Sequence, residues 1–277
     1  MNLRLLINKN LKPLAIALLL LACLSALPAR AQEMKPAPTA APAATDEKAE
    51  QILQHAIEAL GGSAYLNVHS VIGRGLFTPY KDGQSDIPSA FVDYIVYPDR
   101  ERTEFKGQTG KIIQTNTGDT GWLYDGAAKS LKDMTKVQVE DFKRGMRASV
   151  DYLLRGFWRK EGAKLSYLGR REAGLARRNE TVRLTYPDGF TVDFEFGAKD
   201  YLPMKIHYKR TNADGEEIAE EDRLAQHLKI AGVTAPFVID HYSAGAQMSR
   251  INYQSVDFNS PIADTLFARP ANVKAIK

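Results

Sequence analysis

Few side chains in this sequence have the type and spacing that catalysis or metal binding needs. The histidines are His55, His69, His207, His227 and His241. None forms the HxxxH or HExxH spacing that places two imidazoles on one helix face for zinc. His207 and His241 lie in strand-like segments, so a hydrolase would have to assemble its site from distant parts of the chain.

Other catalytic signatures are also weak. Ser243 begins the turn Ser-Ala-Gly-Ala-Gln and lacks the flanking glycines of a nucleophile elbow. Gly61-Gly62-Ser63 has the composition of a helix end, not of a phosphate-binding loop. The pairs Glu216-Glu217 and Glu220-Glu221 match no calcium loop and are interpreted as solvated. The sequence therefore predicts a protein that is not an enzyme and uses no metal and no cofactor.

The first 31 residues have the pattern of a secretory signal. A basic start is followed by an apolar run, Leu14 to Leu27, and by the small-x-small site Ala29-Arg30-Ala31. This run is short for a membrane span. We therefore expect cleavage between Ala31 and Gln32 and export to the periplasm.

Cys23 leaves an alternative open. Leu20-Leu21-Ala22-Cys23 resembles a bacterial lipobox, and a lipidated Cys23 would tether the protein to a membrane. The apolar run continues past Cys23 and a good cleavage site lies downstream, which favours soluble export. Because Cys23 is the single cysteine, its removal leaves no thiol for a disulfide or a zinc-thiolate site.

The charge balance argues against nucleic acid as a partner. The chain has 37 basic and 33 acidic residues. Four of the basic residues and none of the acidic ones lie in the signal segment, so the remaining chain is balanced. A balanced chain lacks the positive field that polyanion binding requires.

The segment from Phe190 to Lys209 shows the architecture most clearly. Phe190, Val192, Phe194 and Phe196 alternate with polar residues, which places them on one face of a strand. After a turn, alternation resumes with the second group of apolar residues, Met204, Ile206 and Tyr208. The pattern predicts an antiparallel hairpin with one apolar and one polar face.

The rest of the chain surrounds this hairpin with helices and further strands. We predict a Pro/Ala-rich disordered tether over 32–45, a helix over 46–60 and a β-meander from about 71 to 125. Apolar residues spaced by three and four predict a long basic amphipathic helix over 136–160, with either a kink or a junction of two helices near Gly145 or Gly156. More strands follow, in a single domain over 46–270 with a tail at 271–277.

So many apolar strand faces need more cover than two helices provide. Curling the sheet around the helices leaves a concave apolar space. Since each buried methylene gains about 0.8 kcal/mol, an acyl chain would fill such a space favourably. The candidate lining residues, with a role in contact only, are Trp122, Phe142, Met146, Leu153, Phe194, Phe196, Met204 and Ile206.

The order of elements resembles the periplasmic lipoprotein-sorting and lipoprotein-carrier (LolA/LolB-like) superfamily. The local similarities are Ile57–Gly62, Tyr97–Phe105, Gly118–Trp122, Tyr201–Lys205 and Asp264–Phe267. The resemblance implies an α+β fold in which a strongly curved antiparallel sheet, an incomplete β-barrel, carries helices on its concave face. It also implies a cavity for lipid acyl chains or a lipidated protein.

The sequence therefore allows three functions. The first is a non-enzymatic periplasmic carrier of a lipid or a lipidated protein. The second is an envelope sensor or scaffold of the same fold with a filled core, and the third is the hydrolase with a non-local site. The basic helix over 136–160 also allows transient contact with a membrane surface.

Overall fold

The computed structural model describes residues 46–107, 110–174, 177–212 and 215–276. The predicted signal segment with its Ala31/Gln32 cleavage site, Cys23 and the 32–45 tether lie outside the described residues. Within the described part of the chain, no helix is both long and apolar enough to span a bilayer.

Period-two alternation produces fourteen strands among the described residues, all with antiparallel neighbours. They are β1 (Ser70–Lys81), β2 (Gln84–Ser85), β3 (Ser89–Val96), β4 (Arg100–Gly107), β5 (Gly110–Thr117), β6 (Thr120–Asp125), β7 (Ser130–Asp133), β8 (Lys164–Glu172), β9 (Arg178–Thr185), β10 (Thr191–Gly197), β11 (Pro203–Thr211), β12 (Glu217–Ile230), β13 (Val233–Ser243) and β14 (Ala246–Phe258). The predicted hairpin is β10–β11, and the predicted meander is the run from β1 to β6.

One sheet contains all these strands. Its order is β7-β6-β5-β4-β3-β1-β14-β13-β12-β11-β10-β9-β8, with β2 paired to β1 beside this path. The first and last long strands therefore meet in the middle of the sheet. The edges are β7 and β8, and they do not pair with each other, so the barrel is incomplete, as predicted.

In the described part of the chain, four α-helices accompany the sheet: α1 (Glu47–Leu60), α2 (Ser63–Leu66), α3 (Lys136–Arg147) and α4 (Val150–Leu154). Short 3₁₀ turns occur at Phe157–Glu161, Asp264–Leu266 and Val273–Ala275. The predicted start and end of α1 are confirmed, with Asp46 as its N-cap and Gly61, at φ 123°, as its C-cap.

The long helix predicted over 136–160 is divided. It breaks after Arg147 because the Ser149 side chain accepts a hydrogen bond from the Tyr152 amide (3.1 Å) and starts α4. Gly156, at φ 70°, ends the α-helical path before the 3₁₀ turn. Gly145 stays inside α3, so of the two glycines only Gly156 marks a break.

The helices pack on the concave face of the sheet, as the fold class predicted. Helix α1 contacts β8, β9, β13 and α4, and so bridges one half of the concavity. Leu153 of α4 and Phe194 of β10 are each 1% exposed, and Phe196 is fully buried. The core therefore lies between α1, α4 and the inner face of the strands.

Candidate functional site

An apolar crevice lies between the helices and the middle of the sheet. It encloses about 100 Å³. Its strand wall comes from β1 and β11–β14, and its helical wall comes from the end of α1, from α2 and from α4. The lining residues are Leu60, Tyr65, Val68, Val71, Tyr97, Ala148, Ser149, Val150, Asp151, Arg155, Pro203, Ile206, Asp222, Leu224, Val233, Thr234, Ala235, Pro236, Ile239, Val256 and Phe258.

Arg155 fastens α4 to the α2 segment along this crevice. Its guanidinium donates to the carbonyl oxygens of Tyr65 (3.0 Å), Leu66 (3.2 Å) and Val68 (2.8 Å). It also stacks on the Tyr65 and Tyr97 rings, at 4.7 and 4.2 Å from their centroids. The helical wall is thus held in place by hydrogen bonds and cation–π contacts.

The same wall includes a neutral donor and a carboxylate. The Tyr65 hydroxyl donates to Asp151 Oδ1 at 3.0 Å. Burial, reinforced by Asp151, raises the pKa of the Tyr65 hydroxyl well above its ordinary value. Tyr65 therefore remains protonated and keeps donating over the whole physiological pH range.

Of the eight residues predicted to line a cavity, the crevice includes Ile206 alone. Leu153, Phe194 and Phe196 are buried in the packed core beside it. Phe142 and Met146 border a separate space of about 30 Å³ beneath α3. That space and the crevice share Tyr97, Ser149 and Asp151, so the two lie side by side.

Met204 lies at a β-bulge. Glu195 pairs with Lys205 but the next residue, Phe196, pairs with Pro203, so Met204 is the extra residue on β11. The phase of the strand changes there, and Pro203 takes the buried position before Ile206 while Met204 is partly buried. Simple alternation over β11 does not detect this change.

Trp122 lies on the other face of the sheet. It is 3% exposed, and its indole Nε1 donates to the carbonyl oxygen of Phe267 at 3.1 Å. Arg102, on β4, stacks on its ring at 5.1 Å. Placing Trp122 beside the concave residues was therefore a misassignment of its face, because the segment after β14 covers it from the convex side.

A larger, polar cleft lies beyond α3. It encloses about 850 Å³ and is bordered by α3, the 157–161 turn, and the ends of β11 and β12. Several of its basic side chains are paired with acidic ones, among them Lys143 with Asp119 (2.7 Å), and Arg147 with Glu161 (2.5 Å) and Asp188 (2.6 Å). Much of the positive charge along the cleft is thus neutralised by neighbouring carboxylates.

A buried ionic cluster connects the crevice to this cleft. Asp222, which lines the crevice, lies 2.8 Å from His241 Nδ1, and His241 Nε2 lies 3.2 Å from Glu220. Arg210, which lines the cleft, donates to Glu220 at 2.5 Å, and the Ser243 hydroxyl donates to Glu220 at 2.9 Å. Burial raises the pKa of the Glu220 carboxyl, but His241, Arg210 and Ser243 outweigh it and hold that pKa below its usual value.

The sequence interpretation missed this cluster. Glu220 was interpreted as solvated, yet it is 3% exposed and Asp222 is 5% exposed. The period-two alternation of β12 could have revealed it. Glu220 and Asp222 alternate with the outward residues of this strand and share the inner face with Leu224. Among the described residues, no three histidine, cysteine or carboxylate side chains are placed to hold a metal ion.

Comparison with known proteins supports the fold. No family model and no curated protein matches the sequence. Several solved structures are similar. Three of them are a LolA superfamily protein from Nitrosomonas europaea (13% identity, TM-score 0.56), a DUF1329 family protein from Desulfovibrio piger (9% identity, TM-score 0.55) and a domain described as an outer membrane lipoprotein-sorting protein from Vibrio parahaemolyticus (13% identity, TM-score 0.52). Each alignment covers 79% of this chain and 97% of the other chain. The chain therefore has a LolA-like fold.

Proposed function

We propose that this protein is a non-enzymatic periplasmic carrier that binds an acyl chain of a lipid or a lipidated protein in the crevice. The observation that carries the proposal is the lining of the crevice, where apolar side chains of five strands and three helices face one another. The similar fold of a LolA superfamily protein and of a lipoprotein-sorting domain supports a partner of this chemical class. The predicted signal segment supports the location.

The volume of the crevice defines what the carrier must do to bind. About 100 Å³ is less than the 150 Å³ of an engineered cavity that holds benzene. Only a few carbons of a chain fit in this conformation. Binding of a whole chain therefore requires the helical wall to move away from β12–β14. The hydrogen bonds of Arg155 join α4 to the α2 segment within that wall, so the two segments would move together.

The packed core is also consistent with the alternative function, an envelope sensor or scaffold. Phe194, Phe196 and Leu153 are buried in the packed core inside the concavity. A core of this kind suits an envelope sensor or scaffold that contacts its partner through the outer surface. The two functions differ in one measurable property, which is uptake of an apolar ligand.

The test uses the mature chain, purified from a bacterial periplasm without detergent. Native mass spectrometry would show a bound acyl species, and N-phenyl-1-naphthylamine, an uncharged fluorescent probe, would report the affinity. Ala235 borders the crevice, so the larger side chain of Ala235→Phe should fill it. The affinity for the probe should then fall about tenfold or more, because displacing two methylenes costs about 1.6 kcal/mol.

Ala225→Phe is the matched control. Ala225 is exposed on β12 and faces away from the concavity. It should bind the probe as the unmodified protein does. A chain that carries no added mass and binds no probe, or equal binding by both variants, would exclude the carrier and leave the sensor or scaffold.

A further inference from the structure

Asp222 places a carboxylate in the largely apolar strand wall of the crevice. Among the described strand residues that line the crevice, it is the one with a charged side chain. It is 5% exposed, and its inward-facing neighbours Ile206 and Leu224 are 4% and 6% exposed. A carboxylate at such a depth must be compensated by partners, since burying an isolated charge is costly.

His241 provides this compensation, and does so for two carboxylates at once. Its Nδ1 faces Asp222 at 2.8 Å and its Nε2 faces Glu220 at 3.2 Å. Other groups near the imidazole include Arg210 from β11, Tyr208 as the register partner of Glu220 on β11, Ser243 from its own strand and, on β14, its register partner Ser249. From the helical side, the charged groups bordering the crevice are Asp151 and Arg155.

We propose that Asp222, held by His241, determines which end of a ligand enters the crevice and makes ligand affinity depend on pH. This inference rests on the proposed function. Asp222 rejects an anionic end and admits the neutral end of a chain, so the ligand class is an amphiphile whose buried end is a hydrocarbon. His241 sets how strongly Asp222 repels, and it is a positioning residue that does not itself contact the ligand.

The direction of the pH dependence follows from the imidazole. A protonated His241 has two N–H groups and a positive charge, so it pairs with both carboxylates. A neutral imidazole has a single N–H, so one of the two carboxylates faces a lone pair instead of a donor. The crevice floor therefore becomes more negative as pH rises, and an apolar chain binds more weakly at high pH than at low pH.

The first measurement is the dissociation constant of N-phenyl-1-naphthylamine between pH 5.5 and 8.5. For the unmodified chain we expect it to increase about fivefold over this range, at the low end of typical coupling energies. Asp222→Asn removes the charge and should bind tightly at all pH values. His241→Gln removes the imidazolium and leaves Asp222 charged, so it should bind weakly at all pH values.

The second measurement is displacement of the probe at pH 8 by two ligands of equal length, dodecanoic acid and dodecanedioic acid. The diacid must bury one carboxylate, so it should compete at least tenfold less well than dodecanoic acid. In Asp222→Asn, the difference between the affinities of the two ligands should be smaller. Asp240→Asn is the control, because Asp240 lies next to His241 on the strand but pairs with Arg250 (2.6 Å) on the outer face. It should behave as the unmodified chain does.

Each outcome has a defined meaning. Probe binding that does not change with pH, or a pH dependence that survives in both Asp222→Asn and His241→Gln, overturns this inference and leaves the carrier intact. No probe binding at any pH overturns the carrier and this inference together. Near-ultraviolet circular dichroism checks folding, and if Asp222→Asn does not fold, the flat profile of His241→Gln decides alone.

Discussion

Asp93 shows how a single buried carboxylate affects the whole protein. It is fully buried on the inner face of β3, where Oδ1 accepts a hydrogen bond from the Thr103 hydroxyl at 2.8 Å. Its Oδ2 has no hydrogen-bond partner among the described residues. Burial raises the pKa of the Asp93 carboxyl to about 6, only partly opposed by Thr103.

We predict that Asp93 makes the protein less stable as pH rises. The folded state favours the protonated carboxyl, so its contribution is present below the unfolded pKa of 3.8 and is lost as pH rises through about 6. A shift of this size corresponds to roughly 3 kcal/mol. Asp93→Asn should remove this loss, so that its free energy of unfolding in urea changes less between pH 4 and pH 7.5 than that of the unmodified chain.

Asp257→Asn provides the comparison for this measurement. Asp257 is half exposed and pairs with Arg74 at 2.7 Å on the surface. A surface pair of this kind contributes little, so this variant should retain the full pH dependence. Equal pH dependence in Asp93→Asn and the unmodified chain would show that Asp93 does not titrate with folding.

At the level of elements, Asp46 links a helix to a sheet edge. Its Oδ1 accepts from the amides of Lys48 (3.0 Å) and Ala49 (3.3 Å), and its Oδ2 accepts from the Tyr167 amide (3.0 Å) on the edge strand β8. The hydrogen bond from Tyr167, ahead of the two cap bonds, lowers the pKa of the Asp46 carboxyl. One side chain thus caps α1 and occupies part of an exposed strand edge.

Two substitutions separate these roles. Asp46→Ser keeps an N-cap hydroxyl but is too short to reach Tyr167, whereas Asp46→Ala loses both interactions. We expect Asp46→Ala to lower the free energy of unfolding by about 1 to 2 kcal/mol and Asp46→Ser to lower it less. Urea unfolding monitored by tryptophan fluorescence measures both, and equal losses in the two variants would mean that only the bond to Tyr167 matters.

The sequence predicts elements better than faces. The helix over 46–60, the β1–β6 meander and the β10–β11 hairpin follow from local periodicity, and the structure confirms them. Met204 was placed by extending a period of two, which cannot anticipate a bulge. Strands flanking a bulge change phase, so face assignments fail locally even when the strand itself is correct.

At the scale of the whole molecule, the missing information is contact between distant segments. Trp122 has the pattern of an inward residue until Phe267, 145 positions later, is placed over it. The crevice volume depends on how α1 and α4 fill the concavity, which no local pattern records. The incomplete barrel was predictable, whereas the amount of empty space inside it was not.

The proposed function assigns ligand binding to the concave face of the sheet alone, and this assignment is testable through Phe267. Phe267 is 3% exposed, Arg100 stacks on its ring at 5.1 Å, and its carbonyl oxygen accepts the Trp122 indole on the convex face. We expect Phe267→Ala to lower the free energy of unfolding by about 3 kcal/mol. It should also shift Trp122 emission to longer wavelength, because the indole loses part of its cover.

Ligand affinity is the measurement that distinguishes the faces. The crevice opens on the concave side, so Phe267→Ala and Trp122→Phe should bind N-phenyl-1-naphthylamine as the unmodified chain does, while Ala235→Phe loses the probe. Stability and binding would then be controlled from opposite faces of one sheet. If Trp122→Phe lowered the affinity for the probe as strongly as Ala235→Phe does, the ligand would contact the convex face. The binding site would then lie at the segment that covers Trp122.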